Sequence, residues 1–463
     1  MLTEKKIFSD INLINLINLL IALIPFTIIL GNLAININII LICIFGITLY
    51  KFQIFKVDKK LYQYLIYSFF LYLILITLIT NINLIINFVP KIAGLYFNVT
   101  RDLYVENIIK SFMFLRFLIL FLVINKLFEK NNFNLKFFYI SCSFFVFLIS
   151  LDIIIQSVFG KNLLGNPIAY NRPTSFFGNE YIAGGYIQKF SLFFMFLFVS
   201  YINENKKNFY FFILSIAFLI PIILTINRMP VLIYISSIFL IFFLRKQFKS
   251  ILIFLLIVLL VFFSIFKFYP KTRMGMNLKK FHESSFQILN TVIDFSTKEP
   301  KKDALLDDDI YGPSLPKLFT DKIVYNLDRE GYMLHFNSAL QIWQTNKIFG
   351  FGIKSFRFNC TYGVGQTCAT HPHNYYLEIL LDTGVVGLTL ILLILVYSIF
   401  NFFNFYRYSS SANLKFFSIP FFIVYIFEFL PLRSSGSFFT TNNAVIIFLM
   451  LAVIVGISSY KKS

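Results

Sequence analysis

The stretch HPHNYYLEILLDTGVVGLTLILLILVYSIF, His371 to Phe400, decides how the chain is read. Its first four residues are polar and include two histidines, and the run behind them is apolar and long enough to cross a bilayer. Pro372 disfavours helix before it and Asn374 is a good helix cap, so a spanning helix is expected to start at or just after His373. At helical spacing His373, Leu377, Leu380, Gly384 and Gly387 share one face. His373 is therefore expected to cap a glycine-faced helix, with Gly384 and Gly387 letting a neighbouring helix pack closely. The partial positive charge of a helix N-terminus would keep the imidazole neutral and able to accept a proton.

Composition outside this junction agrees with a membrane setting. Of 463 residues, 58% are hydrophobic and 14% charged, and the mean hydropathy is +0.76, far from the range of soluble chains. Windows of spanning length fall at about 13–30, 33–50, 62–80, 111–128, 136–159, 183–202, 208–226, 230–244, 250–268, 376–400, 416–432 and 441–460. The expected fold is an all-α polytopic transmembrane helix bundle of about 12 spans. Residues 1–269 hold spans one to nine, 270–370 form a large periplasmic loop with amphipathic helices before span ten, and 371–463 hold spans ten to twelve.

The net charge of +19 sorts by side. With the N-terminus in the cytoplasm, the loops on that side hold eighteen basic residues and the short loops opposite hold seven. The excess is thus a topology signal that puts both termini inside and argues against nucleic acid as a partner. The first apolar run has no small-residue cleavage site after it and is expected to remain as helix one.

Polar residues gather on the outer side. Arg172 sits in the Gly-, Pro- and Asn-punctuated loop GNPIAYNRPTSFFGNEYIAGGYIQKF, Arg228 in a very short turn at 225–230, and Arg433 in PLRSSGSFFTTNN. A guanidinium fork binds phosphate oxygens and keeps its charge, whereas a base must be able to change charge. The plainer role for each arginine is anchorage to lipid headgroups. His371 and His373 are open to reading as a metal pair, but no nearby Cys or third His completes a set in the sequence, and no metal is expected. Cys360 and Cys368, in CTYGVGQTC, are spaced for a disulfide across a tight turn, the alternative being two free thiols.

Within the spans, Arg116 and Asp152 are expected to pair with each other or to snorkel, and Lys189 and Glu428 raise the same question. The mixed segment 81–110 is expected to lie on the membrane surface as an amphipathic piece. In the large outer segment, KEPKKDALLDDD reads as mobile surface. Leu334, Ala339, Ile342 and Trp343 mark an amphipathic helix that stops at Gly350 and Gly352, a candidate substrate lid or acceptor platform.

The run His373-Asn374, nine residues, Gly384, two residues, Gly387 resembles the signature of the O-antigen ligase and O-antigen polymerase superfamily. The span count, inside termini and large outer loop before the histidine are also similar to that family. The segment NSALQIWQTNKIFGFGIKSF is similar to its pre-motif helix and Gly-x-Gly turn, although it lacks a proline before Gly350, and Arg329 is the candidate for an arginine found upstream. The resemblance implies an inverting, metal-independent and cofactor-free glycosyltransferase in the bacterial inner membrane, multi-pass, with its active site periplasmic. It would move a glycan from undecaprenyl diphosphate to a hydroxyl acceptor. His373 would be the catalytic base, Arg172, Arg228 and Arg433 would bind the diphosphate, and His371 and Asn374 would position substrate. O-antigen ligase, with lipid A core as acceptor, is the leading expectation. A polymerase or a transferase to protein hydroxyls shares the chemistry, and a polysaccharide flippase or other transporter is the rival from another class.

Overall fold

The computed structural model describes residues 2–56, 61–93, 97–169, 172–268, 332–360, 368–431, 433 and 435–458. The KEPKKDALLDDD stretch and Arg329 lie outside these residues. In chain order the helices are α1 (Leu2–Ala22), α2 (Ile24–Leu30), α3 (Asn32–Tyr50), α4 (Leu61–Ile86), α5 (Arg101–Glu129), α6 (Leu135–Phe159), α7 (Ala183–Ser200), α8 (Glu204–Leu224), α9 (Arg228–Leu244) and α10 (Phe248–Phe268), continuing with α11 (Tyr332–Thr345), α12 (Phe356–Asn359), α13 (Tyr375–Tyr408), α14 (Ala412–Glu428) and α15 (Thr441–Ser458). Among the described residues, eight helices are long and apolar enough to cross a membrane. The pair α1 and α2, bent by 48° where Pro25 opens the second piece, passes the same test when its two parts are taken together. The shorter α9, α10 and α14 fall on the remaining windows. The chain is an all-α polytopic bundle.

Residues 91–99 depart from the expected amphipathic piece. Lys91–Ala93 and Phe97–Val99 pair as a short antiparallel hairpin, and the chain then enters α5 at Arg101. The centre of the bundle is α15, in which every residue from Ala444 to Ile457 is buried. A helix apolar on all sides has no face to offer water, so it is suited to be surrounded by others; α5, α14 and α13 pack around it.

The spanning helix behind the HPHN motif is not continuous. Gly384 has φ 63° and ψ −169°, which splits α13 into two segments. The turn after α11 fits into the gap. Phe351 and Gly352 donate their N–H groups to the carbonyls of Leu381 (3.2 Å) and Asp382 (2.7 Å), while Val385 and Val386 donate to Lys347 (3.0 Å) and Ile348 (3.3 Å). Tyr72 and Thr80 of α4 add hydrogen bonds to Phe349 and Phe351, each at 3.0 Å. The shared glycine face is therefore corrected. Gly384 is a break made for the approach of a turn, and the space beside Gly387 is filled by the Thr383 side chain of its own helix.

The charges within the spans find partners inside the bundle. Arg116 and Asp152 do not pair: Arg116 donates to the Met113 carbonyl (2.6 Å) and Thr441 Oγ1 (3.1 Å). Asp152 is fully buried and accepts from Leu163 N–H (2.7 Å) and the Ser175 hydroxyl (2.6 Å). Lys189 and Glu428 do pair, at 2.9 Å.

Gly384→Ala should lower stability by about 2 kcal/mol or more, because it demands a left-handed alanine and drives a Cβ into the Ile348 carbonyl. Thermal unfolding in detergent measures it. Gly185→Ala, where an added Cβ meets nothing within 4 Å, should leave the midpoint nearly unchanged.

Candidate active site

The HPHN motif is shaped by a second loop, the one between α14 and α15. Asn374, not His373, is the cap of α13: its side-chain oxygen accepts from the N–H groups of Tyr376 (3.0 Å) and Leu377 (3.2 Å). Its amide donates to the Pro431 carbonyl at 2.7 Å. Glu378, one turn on, accepts from the Ser437 hydroxyl and Phe438 N–H, both at 2.6 Å. His373 precedes the cap with φ 58°, a left-handed conformation that costs an L-residue roughly 1–2 kcal/mol. It is held there by its carbonyl, which accepts from Ser435 N–H at 2.8 Å. The expectation that the histidine itself caps the helix is corrected accordingly, and Asn374 has both ends of its amide committed to the fold.

The two histidines open onto a cavity of about 710 Å³. Its wall also includes Lys189 and Gln188 of α7, Arg433 and Ser435, together with Tyr181 of the preceding loop. The first turns of α7, α9 and α15 contribute to it, so the positive ends of three helices face the same space. The cavity thus joins His371, His373 and Arg433.

Arg172 and Arg228 are not among its lining residues. Arg172 stacks over the Tyr181 ring at 4.8 Å, one side chain behind the wall. Its loop is moulded on α6, where Gln156 accepts from Thr174 N–H (2.9 Å) and Ser175 N–H (2.8 Å) beside the Asp152 contacts. Arg228 begins α9 as an exposed residue, and its neighbours Asn227 and Met229 line the cavity. Arg433 is more deeply engaged, with Nη1 at 3.0 Å from Glu428 Oε2 and 3.2 Å from the Phe427 carbonyl.

A third histidine joins the pair. His335 of α11 has its ring centroid 5.1 Å from that of His373, which is 4.2 Å from that of His371. It escapes notice in the sequence because it is remote in the chain and lies on a helix marked only by its apolar face; the one available signal was that the chain has four histidines in all. No group of three or more His, Cys, Asp or Glu among the described residues is arranged to hold a metal ion. Cys360 and Cys368 form a disulfide. The bridge is buried with Ala339, Phe356 and Leu381, joining the outer segment to α13.

Burial, then the neighbouring His373, pushes the His371 imidazole from its ordinary 6.5 down to about 4, against a raising contribution from Ser435. Burial and His335 push His373 down as well. Both rings are thus favoured in the neutral form. The helix terminus alone had suggested as much, but the effect comes mainly from desolvation.

Residues 210–392 match the family model Wzy_C, O-antigen ligase. The match runs from α8 into α13 and includes Arg228, His371, His373, Asn374, Gly384 and Gly387. Among curated proteins, none matches the chain.

A histidine with a lowered folded pKa stabilises the fold above its unfolded pKa and loses that contribution as pH falls toward the folded value. Between pH 6.5 and about 4, the thermal midpoint of the wild type should therefore drop more steeply than that of His371→Gln. Unfolding scans across this window give the difference directly.

Proposed function

We propose that the chain, whose residues 210–392 match the O-antigen ligase family model, is a membrane glycosyltransferase that moves a glycan from undecaprenyl diphosphate to a hydroxyl acceptor. The observation that carries this reading is the joint lining of one cavity by two histidines, His371 and His373, and two cationic side chains, Lys189 and Arg433. A hydroxyl acceptor attacks the anomeric carbon of the donor sugar on the face opposite the diphosphate. His373 takes the hydroxyl proton as the new C–O bond forms, and the bond to the diphosphate oxygen breaks with its electron pair leaving on that oxygen. The anomeric configuration inverts.

His371 would orient the acceptor: its ring lines the cavity, with Nδ1 3.0 Å from Thr370 Oγ1. The developing negative charge is met by the cationic wall, where Arg433 has a direct place and Arg172 and Arg228 act from just outside it. The reaction written this way uses no metal ion and no cofactor. The cavity would open on the periplasmic face of the bacterial inner membrane, with both termini cytoplasmic, in keeping with the basic bias of the opposite loops. Lipid A core is the acceptor we favour, which makes the protein an O-antigen ligase; a second lipid-linked repeat would make it a polymerase. A flippase would place its polar groups along a path through the bundle, whereas this set gathers at one end.

His373→Gln should reduce transfer from lipid-linked donor to acceptor by about 100-fold or more, the usual worth of a positioned base, with purified protein remaining folded. Full activity in that variant would remove His373 from the base role. In cells lacking the protein, lipopolysaccharide gels showing core-only bands would identify a ligase, and core bearing a single repeat a polymerase.

A further inference from the structure

Resting on the glycosyl-transfer reading, we propose that Lys189 and Arg433, held by Glu428, form the seat for a diphosphate-type anion, with Lys189 supplying the charge that the fold itself does not require. The Glu428 carboxylate bridges the two cations, with Oε1 2.9 Å from Lys189 Nζ and Oε2 3.0 Å from Arg433 Nη1. The side chains are 1% exposed for Glu428, 9% for Lys189 and 12% for Arg433. The Tyr375 hydroxyl donates to the same carboxylate at 3.3 Å. Three buried charges of this kind sum to one positive charge.

An isolated structural pair needs one cation for one carboxylate, and a surplus buried charge is unfavourable unless a ligand meets it. Both cations line the same cavity as His371 and His373. Glu428 is not a lining residue, and Glu180, the carboxylate that is, lies exposed on the loop before α7. Gln188, Ser435, Ser437, Asn442 and Asn443 add polar groups to the wall, and the helix N-termini noted above add field of the same sign. A phosphate group seated here would share the cavity with the histidines.

The test uses the full chain in phosphatidylcholine nanodiscs, with calorimetric titration of farnesyl diphosphate and inorganic pyrophosphate. Lys189→Met leaves a balanced Glu428–Arg433 pair, so it should keep its thermal midpoint while binding both probes at least tenfold more weakly. Lys189→Arg should bind within about threefold of wild type. Wild-type affinity in a folded Lys189→Met would overturn the seat. Should that variant not fold, Glu428→Gln carries the test, since it raises the wall to two positive charges and should bind pyrophosphate more tightly; unchanged or weaker binding would overturn the proposal. Loss of farnesyl diphosphate binding in phosphatidylglycerol nanodiscs would assign the seat to a lipid headgroup and overturn it too. If Lys189→Met loses the probes while His373→Gln still transfers glycan, the seat stands and the base assignment falls. The opposite pattern removes the seat alone.

Discussion

The break of α13 at Gly384 is the constraint on which the rest of the site depends. Backbone groups cannot be left open at membrane depth, because no water is there to meet them, and non-helical chain persists only where protein satisfies it. Here the donors and acceptors freed by the break are met by the Lys347–Gly352 turn. Asp382 strengthens the join, accepting from Lys354 N–H (2.7 Å), Ser355 N–H (3.0 Å) and the Ser355 hydroxyl (2.7 Å). The turn therefore has one register against the helix. That register fixes α11, and α11 brings His335 to His373.

The same logic governs the other side of the motif. The first segment of α13 is short, and its polar residues face inward to bind a second loop: Asn374 reaches Pro431, and Glu378 reaches Ser437 and Phe438. Arg433 lies between these attachments and is turned onto Glu428. One broken helix thus aligns the outer segment with its histidine and the α14–α15 loop with its arginine. The left-handed backbone at His373 is retained between them because Asn374 on one side and the Ser435 contact on the other leave the residue no relaxed alternative.

Much of this was legible in the sequence, for physical reasons. Hydropathy is a property of whole windows, so the spans survived errors in their ends. The gathering of His371, His373 and Arg433 followed from placing short loops on one side of a bilayer. The break at Gly384 was not legible, because apolar periodicity continues through it and a lone glycine is tolerated in a helix. Lys189 and Glu428 were noticed as unusual but could not be joined without knowing which helices are neighbours. Arg172 and Arg228 show the limit of reasoning by side: sharing a membrane face brings residues near a cavity without deciding which of them form its wall.

The arrangement also bears on how a base can work beside so much positive charge. Cations near an imidazole disfavour its protonation, as do burial and a neighbouring histidine. In the proposed reaction the donor arrives with a diphosphate whose charge offsets the cationic wall, so the field at His373 becomes less hostile to a proton only when substrate is bound. As the sugar departs, a further negative charge grows on the leaving oxygen while a positive one grows on the imidazole, and the two changes favour each other across the cavity. In the proposed reaction the base and the cationic wall would thus act together on the two charges that develop.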